Sequence, residues 1–154
     1  MNVPSRALRG FVEADLSALI DIWVAAWRTT EFAFDFDARR GWLDERLRAL
    51  RAAGAMIVVG LGASGRPAGF VTIDPRNGHL DQLCVAPAEC GSGLAAALLD
   101  EAKRRAPGVV ELEVNEANGR ARRFYEREGF SVAGHGCNAA SGLPTLRMLW
   151  RAQG

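Results

Sequence analysis

The chain has 154 residues, 49% of them apolar and 24% charged, with a formal net charge of +1. That composition suits one globular domain with a proper core and gives no electrostatic reason to expect nucleic acid or an anionic membrane surface as a partner. The three cysteines lack C-x-x-C spacing, the opening MNVPSRALRG lacks a signal-peptide core, and the longest apolar stretch, 55–63, is too short to span a membrane, so a reducing, cytoplasmic setting without a structural metal is expected.

A short first strand is expected before Phe11. Asp15 then stands where a helix cap belongs, followed by Leu16, Leu19, Ile20, Trp23, Val24 and Trp27 at helical spacing. A second helix is expected to start near Asp37, with Leu43, Leu47 and Leu50 inward and Gly54 as its stop. The period then changes. AMIVVGL, PAGFVTID and HLDQLCV read as three antiparallel strands, the last two joined at an Asn77-Gly78 pair typical of a tight hairpin. The helix after Gly93 turns Leu94, Leu98, Leu99 and Ala102 inward, with Asp100–Arg104 and Glu101–Arg105 as outer pairs. VVELEV is a strand. NGRARRFYERE is a helix capped by Asn118 and closed by Gly129, and FSVAGHG and LPTLRMLW are two last strands. The order β-α-α-β-β-β-α-β-α-β-β describes an α/β domain on a mixed, mostly antiparallel sheet of about seven strands with about four helices. Nothing divides residues 1–154 into further domains.

The loop APAECGSGLAAALL carries a G-x-G-x-x-A pattern at Gly91, Gly93 and Ala96 before a helix, which suits a phosphate-bearing ligand. A dinucleotide fits poorly, although Glu111 lies where a ribose-binding acid would, because Pro87 to Cys90 separate strand from glycine and antiparallel strands precede it. A P-loop fails because Leu94 follows Gly93 where Lys is required. Coenzyme A remains. LCVAP (83–87) followed by Cys90-Gly91-Ser92-Gly93-Leu94-Ala95 resembles the Q/R-x-x-G-x-G/A signature of the GCN5-related N-acetyltransferase (GNAT) family, with Cys90 in place of the usual Gln or Arg. Asn118, Ala121, Tyr125, Gly129 and Phe130 resemble that family's second signature, N-x-x-A-x-x-x-Y-x-x-x-G-F, and the element order is similar over almost the whole chain.

The resemblance implies acetyl-CoA as co-substrate, direct acetyl transfer to an amine of a small molecule or a protein, and no metal. It implies cofactor contacts from Leu83, Cys84, Val85, Cys90, Gly91, Ser92, Gly93, Leu94, Ala95, Ala96, Asn118, Ala121 and Tyr125, with Tyr125 as general acid to the leaving sulfur. Of Arg120, Arg122, Arg123 and Arg127, one or two are expected to reach phosphates and the rest to be solvated. A backbone N–H near Leu83 to Val85 would stabilise the developing oxyanion.

An alkylamine with a pKa of about 10.4 arrives charged and must lose a proton. His79 and Asp81, two apart on one strand, are candidates for that base, with Glu111, Glu113 or a water chain as alternatives. The family selects acceptors with the loops between the first two helices and the last two strands. Here these hold Trp27, Glu31, Phe32, Phe34, Asp35 and Trp42, then His135, Cys137 and Asn138. Aromatics mixed with carboxylates suit a cationic amine. The rival reading is a non-catalytic coenzyme A-binding sensor of the same fold. Homodimers are frequent in the family, but no pattern marks a dimer surface.

Overall fold

A computed structural model describes residues 7–30, 35, 37–139 and 141–153. Its elements run β1 (Leu8–Gly10), α1 (Leu16–Arg28), α2 (Arg40–Ala52), β2 (Met56–Leu61), β3 (Pro67–Ile73), β4 (Leu80–Val85), α3 (Leu94–Arg105), β5 (Val109–Asn115), α4 (Gly119–Arg127), β6 (Ser131–Cys137) and β7 (Pro144–Arg151), in the expected order.

The strands form two antiparallel sheets, β1-β2-β3-β4 and β5-β7-β6. They meet where His79 bridges Glu111 in parallel and the Glu111 amide donates to Gly78 O at 2.9 Å. Beyond that bridge β4 and β5 form no ladder, and this parting creates the clefts described below. Two features locate it. Gly78, at φ 79°, lies so close to β5 that a side chain there would strike the Val109 carbonyl. Next, β4 bulges: Ile73 pairs with Leu80 and Val71 with Leu83, so Asp81 and Gln82 together face Thr72. Their amides donate to the buried Thr72 Oγ1, at 3.2 and 2.9 Å, which satisfies donors the ladder has lost.

Strand alternation sends β2 and β3 side chains to two cores. On one face Ile57, Val59 and Phe70 meet Leu19, Trp23, Leu43 and Leu47 of α1 and α2. On the other Val58, Val71 and Ile73 meet Leu94, Leu98, Leu99 and Ala102 of α3, joined by Leu112, Met148, Tyr125 and Phe130. Each large side chain so buried contributes about 1.5–3 kcal/mol. Gly60 sets how closely α3 seats, since a methyl group there would lie 2.8 Å from Leu94 Cδ1. The single lysine of the chain, Lys103 on α3, donates to Glu128 O at 2.7 Å and lies 5.0 and 5.7 Å from the Trp150 and Phe130 rings.

Four local expectations are corrected. Asp15 does not cap α1; its carboxylate takes both Arg9 nitrogens at 2.7 and 2.8 Å and the Val12 amide at 2.9 Å, an ion pair that ties β1 to the helix. The second helix begins at Arg40 after a turn over 37–39 rather than at Asp37. The β3–β4 connection is wider than a two-residue hairpin: Asp74 N donates to His79 O and Gly78 N to Asp74 O, with Arg76 folded back onto Asp74. On α3, Glu101 takes both Arg104 and Arg105, because i,i+3 and i,i+4 neighbours converge on one carboxylate.

Candidate active site

After β4 the chain makes a single 3-10 turn, Pro87–Glu89, and reaches α3 through Gly91 and Gly93, at φ 80° and 91°. These angles strain any residue with a Cβ. Among the described residues a Cβ built on either glycine meets nothing within 4 Å, so none of them requires the glycines to be bare. Ser92 Oγ accepts the Leu94 amide at 3.3 Å, while the Ala95 and Ala96 amides, in the first turn of α3, have no intrahelical partner. Open main chain, first-turn amides and the positive end of the helix dipole together fit a diphosphate.

The loop bounds a cavity of about 530 Å³, closed by the end of β4, by α4 and by the C-terminal end of α1. It gathers Leu83, Cys84, Val85, Cys90, Gly91, Gly93, Ala95, Ala96, Asn118, Ala121 and Tyr125. Of the expected cofactor contacts, Leu94 instead turns into the core and Ser92 lies off the lining. Arg120 and Arg127 also reach the cavity, whereas Arg122 pairs with Glu126 on the outside. Asn118 caps α4, its Oδ1 accepting the Ala121 amide at 3.2 Å.

Ladder geometry directs the β4 amides. Ala86 N donates to Ala68 O at 2.7 Å, which makes that pair hydrogen-bonded. Alternation then makes Phe70/Cys84 the next such pair and turns the amides of Leu83 and Val85 away from β3, toward the parted edge.

Tyr125 is 8% exposed, edge-on to Phe124 and Phe130 at 5.2 and 5.5 Å. Its hydroxyl has no hydrogen-bond partner among the described residues and is not sealed from the cavity. Burial, reinforced by the Cys84 thiol, raises its pKa, so the phenol stays neutral and able to donate. Burial likewise pushes Cys84 up to about 12, which leaves it a packing residue rather than a nucleophile.

A second cavity, of about 580 Å³, lies along the other half of β4. Its walls are Leu80, Asp81 and Gln82, with His79 beside them, Glu113 of β5, Cys137 at the end of β6 and Asn138 after it, and Trp42 and Arg46 of α2. Residues 80–82 therefore face one cavity and 83–85 the other. Arg46 bonds both carboxylate oxygens of Asp81, through Nη2 to Oδ1 and through Nε to Oδ2 at 3.1 Å. Gln82 Nε2 adds a bond at 3.1 Å, and His79 Nε2 lies 3.5 Å from Oδ1. Burial pushes Asp81 up, but the donors His79, Arg46 and Gln82 outweigh it and hold the carboxyl well below the usual range, which makes Asp81 a poor base. The Asp81 hydrogen bond raises His79, against partial burial. Glu111 pairs with Arg147 at 3.3 Å. Glu113 accepts only the Thr145 hydroxyl, at 3.2 Å, and has no cationic partner among the described residues.

The acceptor-side expectations divide. Trp42, Cys137 and Asn138 line the second cavity, but Trp27 lines the first, carried there by the end of α1. Asp35 is exposed and accepts the Ala38 amide at 3.0 Å, His135 lies outside both linings, and Glu31, Phe32 and Phe34 fall outside the described residues. The sequence reading missed Arg46, which lies 35 positions from its partner Asp81 and carries no local signal. Among the described residues no cluster of metal-ligating side chains occurs, and no helix is long and apolar enough to cross a membrane.

Comparison with known proteins places the chain in a family. A family model described as an acetyltransferase (GNAT) domain matches residues 38–152. The peptidyl-lysine N-acetyltransferase YjaB of Salmonella typhimurium is 32% identical over 114 residues, which is 72% of this chain and 76% of that protein. The solution structure of apo YjaB from Escherichia coli superposes with a TM-score of 0.77 at 24% identity, covering 96% of this chain and 99% of that one. The PaiA N-acetyltransferase of Thermoplasma acidophilum, solved with coenzyme A, gives 0.77 at 18% identity over 96% and 99%. The chain belongs to the GCN5-related N-acetyltransferase family and is an N-acetyltransferase that takes its acetyl group from acetyl-CoA.

Proposed function

We propose that the chain acetylates protein amines, lysine side chains above all, and that its two cavities divide the work. The observation that carries this is the change of side at β4, where residues 83–85 line the phosphate-loop cavity and residues 80–82 an acid-bearing one. The curated relative's action on peptidyl-lysine supports the acceptor class. The span of the family match supports one catalytic domain, and three free thiols suit a reducing cytoplasm.

Acetyl-CoA supplies an activated thioester carbonyl. The bare main chain at Gly91 and Gly93, with the first-turn amides of Ala95 and Ala96, holds its diphosphate, and Arg120 and Arg127 add positive charge at the rim. The amides of Leu83 and Val85 stand on the parted edge as donors to an oxygen that gains charge. Tyr125, neutral and with a hydroxyl that bonds no described residue, gives its proton to the departing sulfur.

On the other side, Glu113 attracts the lysine ammonium, having no cation of its own among the described residues. His79 is the base. Its Nε2 faces Asp81, which leaves Nδ1 to take the proton. Asp81 orients the imidazole and stabilises the imidazolium.

Thiol release at constant acetyl-CoA, with mass spectrometry of the products, tests this reading. Lysine peptides should be turned over, and the same peptides with lysine replaced by arginine should not. Turnover confined to polyamines or aminoglycosides would reassign the acceptor, and no turnover of any amine despite tight acetyl-CoA binding would return the sensor reading.

A further inference from the structure

We propose that Arg46 is a positioning residue for proton removal: from α2 it grips both oxygens of Asp81 and so fixes the carboxylate against which the His79 imidazole is set. This deepens the reading of His79 as the base and rests on it.

Arg46 reaches Asp81 across 35 residues of sequence and makes a two-point contact with a side chain that is only 11% exposed. A guanidinium fork restricts a carboxylate in angle as well as position, which an ammonium cannot do. The Asp81 oxygen nearest His79, Oδ1, is the one that Arg46 Nη2 also holds. Any swing of Asp81 therefore breaks the fork.

Charge gives Arg46 a second task. The groups around His79 are Asp81 and Gln82 on β4, Glu111 and Glu113 on β5, Asp74 at the end of β3, Cys137 at the end of β6 and Arg46 on α2. Asp81, by its hydrogen bond and its charge, and Glu111 favour the imidazolium, whereas burial and the Arg46 charge oppose it. A base that keeps its proton cannot accept another. Arg46 thus holds Asp81 in place for orientation, while its charge offsets part of the rise that Asp81 and Glu111 impose on His79. In the step itself, Nδ1 takes one proton from the acceptor ammonium, the neutral amine goes forward, and the imidazolium returns the proton to solvent.

The chain has two histidines, so His135→Gln identifies the His79 imidazole signals by NMR. The titration midpoint of His79 and the pH profile of kcat/KM are to be compared in wild type, Arg46→Met, Arg46→Lys and Asp81→Asn. Arg46→Met should move the midpoint by about half a unit or more, downward where the freed Asp81 swings from the imidazole and upward where the lost cation dominates, and the acid limb of the profile should move with it. Asp81→Asn should lower the midpoint, and Arg46→Lys should fall between Arg46→Met and wild type. If Arg46→Met does not fold, Arg46→Gln serves the same comparison. A midpoint unmoved in both the Arg46 and Asp81 variants overturns the proposal. A midpoint that shifts while the acid limb stays fixed overturns instead the assignment of His79 as the base.

Discussion

Gly78 and Val109 approach so closely that a Cβ on the glycine would lie 1.9 Å from the Val109 carbonyl oxygen. This contact sits where the two sheets join, beside the bond from the Glu111 amide to Gly78 O. Gly78→Ala must push β5 away or break that junction, and it also places a Cβ at φ 79°. The expected loss is about 3 kcal/mol or more, read as a lower urea midpoint.

Gly91→Ala makes the opposite case. A Cβ there touches no described residue, so the positive φ is what is penalised, by about 1 kcal/mol. The loss should appear in binding: calorimetry should show acetyl-CoA affinity weakened by about tenfold or more, equivalent to about 1.4 kcal/mol. An unchanged affinity would move the diphosphate away from this loop.

Tyr125→Phe should leave the thermal midpoint and acetyl-CoA affinity near wild type, because the hydroxyl bonds no described residue while the ring packs between Phe124 and Phe130. Turnover should fall about 100- to 10,000-fold, the usual range for a lost proton donor. Stopped-flow measurement of thiol release reads this directly, and near-normal turnover would remove Tyr125 from the chemistry.

Glu113→Gln keeps an acceptor for Thr145 but removes the negative charge from the second cavity. KM for a lysine peptide should rise about tenfold while KM for acetyl-CoA stays constant. Steady-state kinetics with each substrate varied in turn separates the two, and a change confined to acetyl-CoA would contradict the division of the cavities.

The parts of this molecule legible in its sequence are those coded locally. Asn118 caps α4 as its type and place predict, and Gly54 ends α2. What stayed hidden depends on distant pairing. Asp15 looks like a cap until Arg9 arrives from β1 to claim it. The β4 bulge depends on Thr72 of the neighbouring strand, and the parting of the sheets on a contact between Gly78 and Val109. Trp27 was expected beside the acceptor because loop position indicates proximity, but not which side of β4 a side chain faces.

Lys103 has a last consequence. The only lysine among the 154 residues spends its ammonium on the Glu128 carbonyl and two aromatic faces. An enzyme that modifies lysine would thus carry no spare lysine as a competing target, and its own intact mass should stay constant at side-chain amines through long incubations with the donor. Self-modification at side-chain amines would be largely silent here.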